Sequence, residues 1–263
     1  MSFLQSVILG LLQGLGEFLP VSSSGHLIVV PWLLGWPDHG LTFDIALHFG
    51  TLIAVVVYFW RDWISLLISG FTAAGSREGR LFWYLVLATL PGAAIGYLLE
   101  DIAEKVFRNP LLIAGALIAL GILLFWADKK SKKEKQLQEI TLRTSFLIGL
   151  SQALAIIPGV SRSGVTITAG LSLGLTREAA TRFSFLLSAP IIFGAAIIKL
   201  PHIVAHPSLI TINFISGMVV SCLVGLASIG FLLRYVQTKT FLPFVIYRFA
   251  LGALVIAVAF FFR

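Results

Sequence analysis

The residue types that can do chemistry in this chain gather in two short stretches. Gln13 to His26 reads QGLGEFLPVSSSGH and sets a carboxamide (Gln13), a carboxylate (Glu17), three serines (Ser22, Ser23, Ser24) and an imidazole (His26) between apolar runs. Pro158 to Thr166 reads PGVSRSGVT and adds Gly159, Ser161, Arg162, Ser163 and Thr166. An arginine fork matches phosphate oxygens, glycine lets backbone approach a ligand, hydroxyls donate, and a helix N-terminus favours anions. The second stretch therefore has the make-up of a phosphate cradle. No Gly-Lys-Ser/Thr follows it, so it is not a Walker A loop, and the sequence argues against nucleotide-driven transport.

Glu17 lies one helical turn after Gln13, which puts both side chains on one face. Oxygens so arranged suit a hard cation, Mg²⁺ or Ca²⁺, held against a diphosphate, whereas no Cys or His pair offers a zinc site. His26 follows Ser23 by three residues, within reach for a proton during nucleophilic attack. Ser23 is the candidate nucleophile, with His26 itself or a metal-bound water as the alternatives that spacing leaves open. Arg248 is a second intramembrane arginine, read either as a substrate contact or as a structural partner for a carbonyl or for Asp44. Asp44 and His48, a turn apart, either line the same cavity or sit near its aqueous end. His39, His202 and His206 fall in predicted loops and are expected to face solvent.

The elements that carry these groups are set by composition. The 263 residues are 58% hydrophobic and 12% charged, with a mean hydropathy of +0.97, which describes an all-α polytopic membrane protein. A net charge of +7 in a soluble chain suggests nucleic acid, but here the basic residues fall in loops between greasy segments, so membrane topology accounts for them and no nucleic acid is expected. The one cysteine, Cys222, has no partner for an intramolecular disulfide. The N-terminus lacks the basic region and unbroken apolar core of a cleavable signal.

Ser2 to Phe18 is too short to span, and Pro20 breaks it before LIVVPWLLGW continues, so two half-length helices around a polar break predict a re-entrant hairpin. Spans are expected at Leu41–Trp60, Leu81–Leu99 and Leu111–Trp126. The charged stretch 128–143 then reads as a solvated cytoplasmic linker. The design then returns. Gly10, Leu11, Gln13, Leu15, Val21, Ser22, Ser24 and Gly25 match Gly149, Leu150, Gln152, Leu154, Val160, Ser161, Ser163 and Gly164 in one ungapped register. Phe146–Ile157 and Val165–Leu175 flank the second break, followed by spans at Phe183–Lys199, Leu209–Leu233 and Phe241–Phe262. Residues 1–127 and 144–263 are thus two repeats within a single membrane domain, and three spans per repeat force the copies to sit inverted. Six spans and two hairpins result. Loops on one side hold basic residues such as Arg61, Arg77, Arg80, Arg177 and Arg182, against Lys105, Arg108, Lys199 and Arg263 on the other, which turns the first hairpin and both termini outward. Where the copies differ they complement each other: Glu17 stands opposite Ile156, and Arg162 replaces Ser23. One shared midplane site follows.

At these residues the sequence resembles the undecaprenyl-diphosphatase family, the membrane phosphatases linked to bacitracin resistance. Gln13 to Glu17 fits that family's Glu/Gln-x-x-x-Glu pattern, PGVSRSGVT fits its PGxSRSxxT pattern, and EFLPVSSSGH and the late YRF (Tyr247, Arg248, Phe249) look similar as well. The resemblance spans essentially the whole chain. It implies hydrolysis of the terminal phosphate of undecaprenyl diphosphate at the outer face of the bacterial plasma membrane, with divalent metal, recycling the lipid carrier for cell-wall synthesis. A buried polyprenyl tail, at about 0.8 kcal/mol per CH₂, keeps such a substrate in the bilayer, so the site must open to the lipid. The competing class is an inverted-repeat transporter or flippase of polyprenyl phosphate lipids, which shares the architecture but has no need of His26 and the serines beside Glu17.

Overall fold

The computed structural model describes residues 1–37, 39–99 and 107–261. Of the basic residues assigned to the outer loops, Lys105 and Arg263 lie outside the described residues, as do the side chains of Lys199 and His202. The described residues are helical, with one isolated bridge between Lys135 and Leu175 and no strand.

The first helix, α1 (Phe3–Phe18), starts on a capping box in which the Ser2 hydroxyl accepts from Gln5 N and the Gln5 side chain accepts from Ser2 N. It stops where it must: Leu19, extended at ψ 143, precedes Pro20, whose ring disfavours helical backbone in the residue before it. Helix α2 (Ser23–Leu34) then begins on Ser22. Next come α3 (Leu41–Tyr58), α4 (Trp60–Thr72), α5 (Arg77–Leu98) and α6 (Pro110–Lys130). The second half runs through α7 (Leu142–Gln152), a 3₁₀ turn (Ala153–Ile156), α8 (Arg162–Ser172), α9 (Arg177–Ala205), α10 (Ile212–Tyr235) and α11 (Leu242–Phe261).

Five of these helices are long and apolar enough to cross a bilayer, and α3 with α4, bent by 77° at their junction, pass that test only as a pair. The protein is a multi-pass membrane protein. Helices α1, α2 and α7 with its 3₁₀ turn are apolar but shorter. Helix α4 lies in a stretch to which the sequence assigned no element. It carries Arg61 and Asp62 at one end, and its Ile64, Leu67, Ile68 and Phe71 remain exposed, the make-up of a helix lying at a membrane surface.

Packing runs across the two halves. Helix α1 lies along α10, α7 lies along α5, α3 meets α9, and α6 meets α11. Small residues make the first contact possible: a Cβ added at Gly14 stands 2.8 Å from the Ser221 carbonyl oxygen, so no larger residue fits at that helix crossing. The main apolar core gathers on α9, around Phe183, Phe185, Leu186 and Leu187.

The charged stretch after α6 is not simply solvated. Asp128 is buried, with Oδ1 2.5 Å from Arg177 Nε and Oδ2 accepting from Phe241 N at 2.9 Å, while Lys133 Nζ donates to the Asp128 carbonyl. Backbone bonds from Lys135 N to Gly174 O (2.9 Å) and from Thr176 N to Lys135 O (2.9 Å) dock the stretch on the α8–α9 turn. A buried carboxylate needs such partners, which the sequence pattern of a lysine-rich run does not reveal.

Candidate active site

Both polar breaks are built the same way. Ser22 caps α2 at φ 75 and Ser161 caps α8 at φ 71, and each hydroxyl accepts from the N–H of the glycine three residues on, Gly25 at 3.3 Å and Gly164 at 3.1 Å. Positive φ at a non-glycine residue costs of order 1 to 3 kcal/mol and persists only where surroundings over-determine it. Here the breaks brace each other: Gly159 N donates to Ser22 Oγ at 3.1 Å, and Ser163 Oγ donates to Leu19 O at 3.2 Å. The two polar tips are in contact.

The first residue of each helix after its cap faces one carboxylate. Ser23 Oγ donates to Glu17 Oε2 at 2.7 Å, and Arg162 reaches Glu17 Oε1 at 3.1 Å. Gln13 Nε2 donates to Oε2 at 3.0 Å, as one-turn spacing predicts. Arg162 is steadied from behind by the Ser184 carbonyl at 2.7 Å, and Thr166 Oγ1 meets Ser184 Oγ at 2.7 Å. Phe18, fully buried edge-on against Phe185 at 5.2 Å, fixes the end of α1 that carries Glu17. Gln13, Glu17 and Ser23 are all buried. A hydroxyl hydrogen-bonded to a carboxylate and flanked by a guanidinium can lose its proton to the carboxylate while the guanidinium takes up charge on a phosphoryl oxygen.

The structure departs from the sequence reading or narrows it at four places. Ser23 is paired with Glu17 and not with His26. His26 Nδ1 lies 2.6 Å from the Ser22 carbonyl and Nε2 lies 2.6 Å from the Tyr247 hydroxyl, with the two rings stacked. A carbonyl only accepts, so Nδ1 carries the hydrogen and Nε2 accepts from Tyr247. Of the two readings of Arg248, the structure bears out the partner for carbonyls. It is fully buried, and its guanidinium donates to the carbonyls of Leu117 (2.9 Å), Pro20 (3.1 Å), Ala116 (3.3 Å), Gly159 (2.8 Å) and Val160 (3.4 Å). It ties both breaks to α6.

Third, Ser22, Ser161, Ser163 and Thr166 are buried and spend their hydroxyls on backbone or on one another, and Gly159 is used on both its N–H and its C=O, so these residues shape the cradle. Ser24, half-buried and 3.4 Å from Ser22 Oγ, keeps an approach open. Fourth, the His39 side chain is 3% exposed and pairs with Asp44 at 2.6 Å instead of facing solvent. His206 is exposed as expected. Gln152, the counterpart of Gln13, packs against Gly92 of α5 with neither amide atom partnered. Sequence reasoning did not place Ser184 or Tyr247 here, and left His48 undecided; its Nε2 stands 3.6 Å from Glu17 Oε2. A histidine one turn beyond Asp44 inside an apolar span was the available signal.

With this geometry in hand, comparison with known proteins is decisive. Residues 6–254 match the family described as Bacitracin resistance protein BacA. The chain belongs to the BacA family. Among curated members of similar sequence, the undecaprenyl-diphosphatase of Pelotomaculum thermopropionicum is 57% identical over 259 residues, covering 98% of this chain and 97% of its own. That of Moorella thermoacetica is 54% identical over 258 residues, with 98% of each chain covered. The BacA match takes in both breaks, Arg162 and Arg248.

Cation binding can be tested against the residues themselves. Among the described residues no three His, Cys, Asp or Glu side chains converge on one point. Gln13 Oε1, however, is buried without a partner beside the Glu17 carboxylate. An unpaired oxygen next to an anion suits Mg²⁺ or Ca²⁺, and Mg²⁺ is commonly held by one or two carboxylates with water and substrate phosphates completing the shell. The fit is good.

Proposed function

We infer that the protein hydrolyses undecaprenyl diphosphate to undecaprenyl phosphate and orthophosphate within the membrane. The observation that carries the reading is the meeting of Ser23 from one break and Arg162 from the other on the two oxygens of Glu17. Full-length similarity to phosphatases of that name supports it, and the transporter reading finds no such support.

In this reading Ser23 Oγ attacks the terminal phosphorus as its proton passes to Glu17. The bridging P–O bond breaks, the lipid leaves as its monophosphate, and water then releases orthophosphate from the serine. Arg162 holds the non-bridging oxygens, Ser24 lines the approach, and the N-termini of α2 and α8 add their dipoles. His26 sits beside the cradle, its ring held by Tyr247. Gln13 and Glu17 hold the divalent cation, Mg²⁺ or Ca²⁺, which when bound neutralises charge on the diphosphate.

The architecture completes the picture as two inverted repeats, 1–127 and 144–263, each a re-entrant hairpin plus three spans. It is supported by the matching caps at Ser22 and Ser161 and by exchanged packing, α1 on α10 in one direction and α7 on α5 in the other. Charge bias puts the docked stretch 128–143 inside and the site opening outward, in the plasma membrane of a bacterium.

Purified protein in detergent is expected to release orthophosphate from a polyprenyl diphosphate, with Glu17→Ala and Arg162→Ala each lowering turnover by about 10³-fold. Full turnover in either variant discards the site. Chelation of divalent ions is expected to stop turnover and added Mg²⁺ or Ca²⁺ to restore it; undiminished activity in chelator rejects the cation.

A further inference from the structure

Glu17 has one more neighbour, His48 on α3. Its Nε2 stands 3.6 Å from Glu17 Oε2, beyond hydrogen-bond reach, while its Nδ1 lies 2.7 Å from the Asp44 carbonyl. A carbonyl only accepts, so Nδ1 carries the hydrogen and the Nε2 lone pair looks towards the carboxylate. Two electron-rich atoms turned towards each other repel unless something positive lies between them. A second observation points the same way. Gln13 Oε1 is fully buried with no partner, on the same amide whose nitrogen is 3.0 Å from that same Glu17 oxygen.

We propose that His48 Nε2 is the nitrogen ligand of a divalent-cation site shared with Glu17 and Gln13, and that it shifts the site's preference from Mg²⁺ towards Mn²⁺. This rests on the reading above that Gln13 and Glu17 hold a cation. The 3.6 Å separation is a span that two donors, each about 2.1 to 2.5 Å from one ion, cover between them. A ring that gives Nδ1–H to a backbone carbonyl and keeps Nε2 for a metal is the usual arrangement of a ligating histidine. The Asp44 side chain is itself held by His39, Nε2 to Oδ1 at 2.6 Å, which stiffens this turn of α3. Imidazole suits first-row transition ions, whereas Mg²⁺ prefers oxygen throughout, so one nitrogen among oxygens favours Mn²⁺, which accepts both. The His48 side chain is 31% exposed, leaving room for the ion to enter and for water and phosphate oxygens to complete the shell.

The rival account of the same distance is an ion pair, in which a doubly protonated His48 faces Glu17 and has no lone pair to offer. Pulsed electron paramagnetic resonance of Mn²⁺ on the purified full chain, with methylenediphosphonate as a non-hydrolysable diphosphate probe, separates the two. We expect a ¹⁴N coupling on the manganese that changes to ¹⁵N when the protein is grown on ¹⁵N-histidine and vanishes in His48→Leu. In that variant Mn²⁺ affinity falls at least about tenfold and the Mn²⁺ over Mg²⁺ preference shrinks. Where His48→Leu fails to fold, His48→Gln takes its place, and a histidine coupling that survives there overturns the proposal equally. Mn²⁺ that binds in a Glu17-dependent way without histidine coupling overturns the proposal and leaves the Gln13–Glu17 cation standing, as does a coupling that survives in His48→Leu. No Mn²⁺ on the wild-type protein sinks both.

Discussion

The two breaks share a backbone and divide the chemistry. Ser22 and Ser161 adopt the same strained cap, and the slot that follows holds Ser23 in one and Arg162 in the other. Both slots aim at Glu17, whose own counterpart is the apolar Ile156. The same first-turn position carries a hydroxyl in one break and a guanidinium in the other, and both reach one carboxylate. The two arginines, Arg162 and Arg248, differ in the same instructive way. Arg162 faces a carboxylate and is available to a phosphate, whereas Arg248 faces only carbonyls and is used up holding the breaks in register.

Making the second break a copy of the first tests this division most severely. Arg162→Ser places a hydroxyl in both slots, leaves the buried Glu17 without its counter-charge and is expected to lower kcat about 10³-fold and to lower Tm as well. Wild-type kcat would mean that the slots are interchangeable. Next, Ser23→Ala is expected to lose about 10²- to 10³-fold in phosphate release, while Ser22→Ala keeps most of its kcat and loses about 0.5 to 2 kcal/mol of stability, the usual worth of a helix cap. Equal, mild losses in both would move the nucleophile to His26 or to water. The arginine contrast is sharpened by Arg248→Leu, which strands several buried carbonyls and is expected to lower stability by about 3 kcal/mol or more, read as a drop in Tm. A normal Tm with a raised KM would return Arg248 to the substrate.

Much of this was legible in the chain itself. The duplicated pattern, the Gln13–Glu17 turn and the complementary Arg162 all follow from residue types placed where a bilayer forbids them. Expected spans lie within about four residues of the helix ends because apolar length is a direct signal, except that Phe183–Lys199 sits inside the longer helix Arg177–Ala205, whose polar first turn hides its start. What escaped were pairings that depend on a third element. Whether Ser23 bonds to His26 or to Glu17 is decided by Tyr247, far along the chain on α11. Asp128 looked solvated because its partners, Arg177 and the Phe241 amide, come from helices that sequence alone does not bring near. His39 was misplaced for a different reason: its partner Asp44 is only five residues on, but an imidazole before a helix start gives no sign that it folds back onto that carboxylate.

One bond bears on how the molecule comes into being. Arg248, near the end of the polypeptide, donates to the carbonyl of Pro20, 228 positions earlier, and to that of Gly159. During synthesis the opening bend must wait, with its carbonyl unmet, until α11 has been made. A product cut short before that helix is left without the clasp that holds its two tips together.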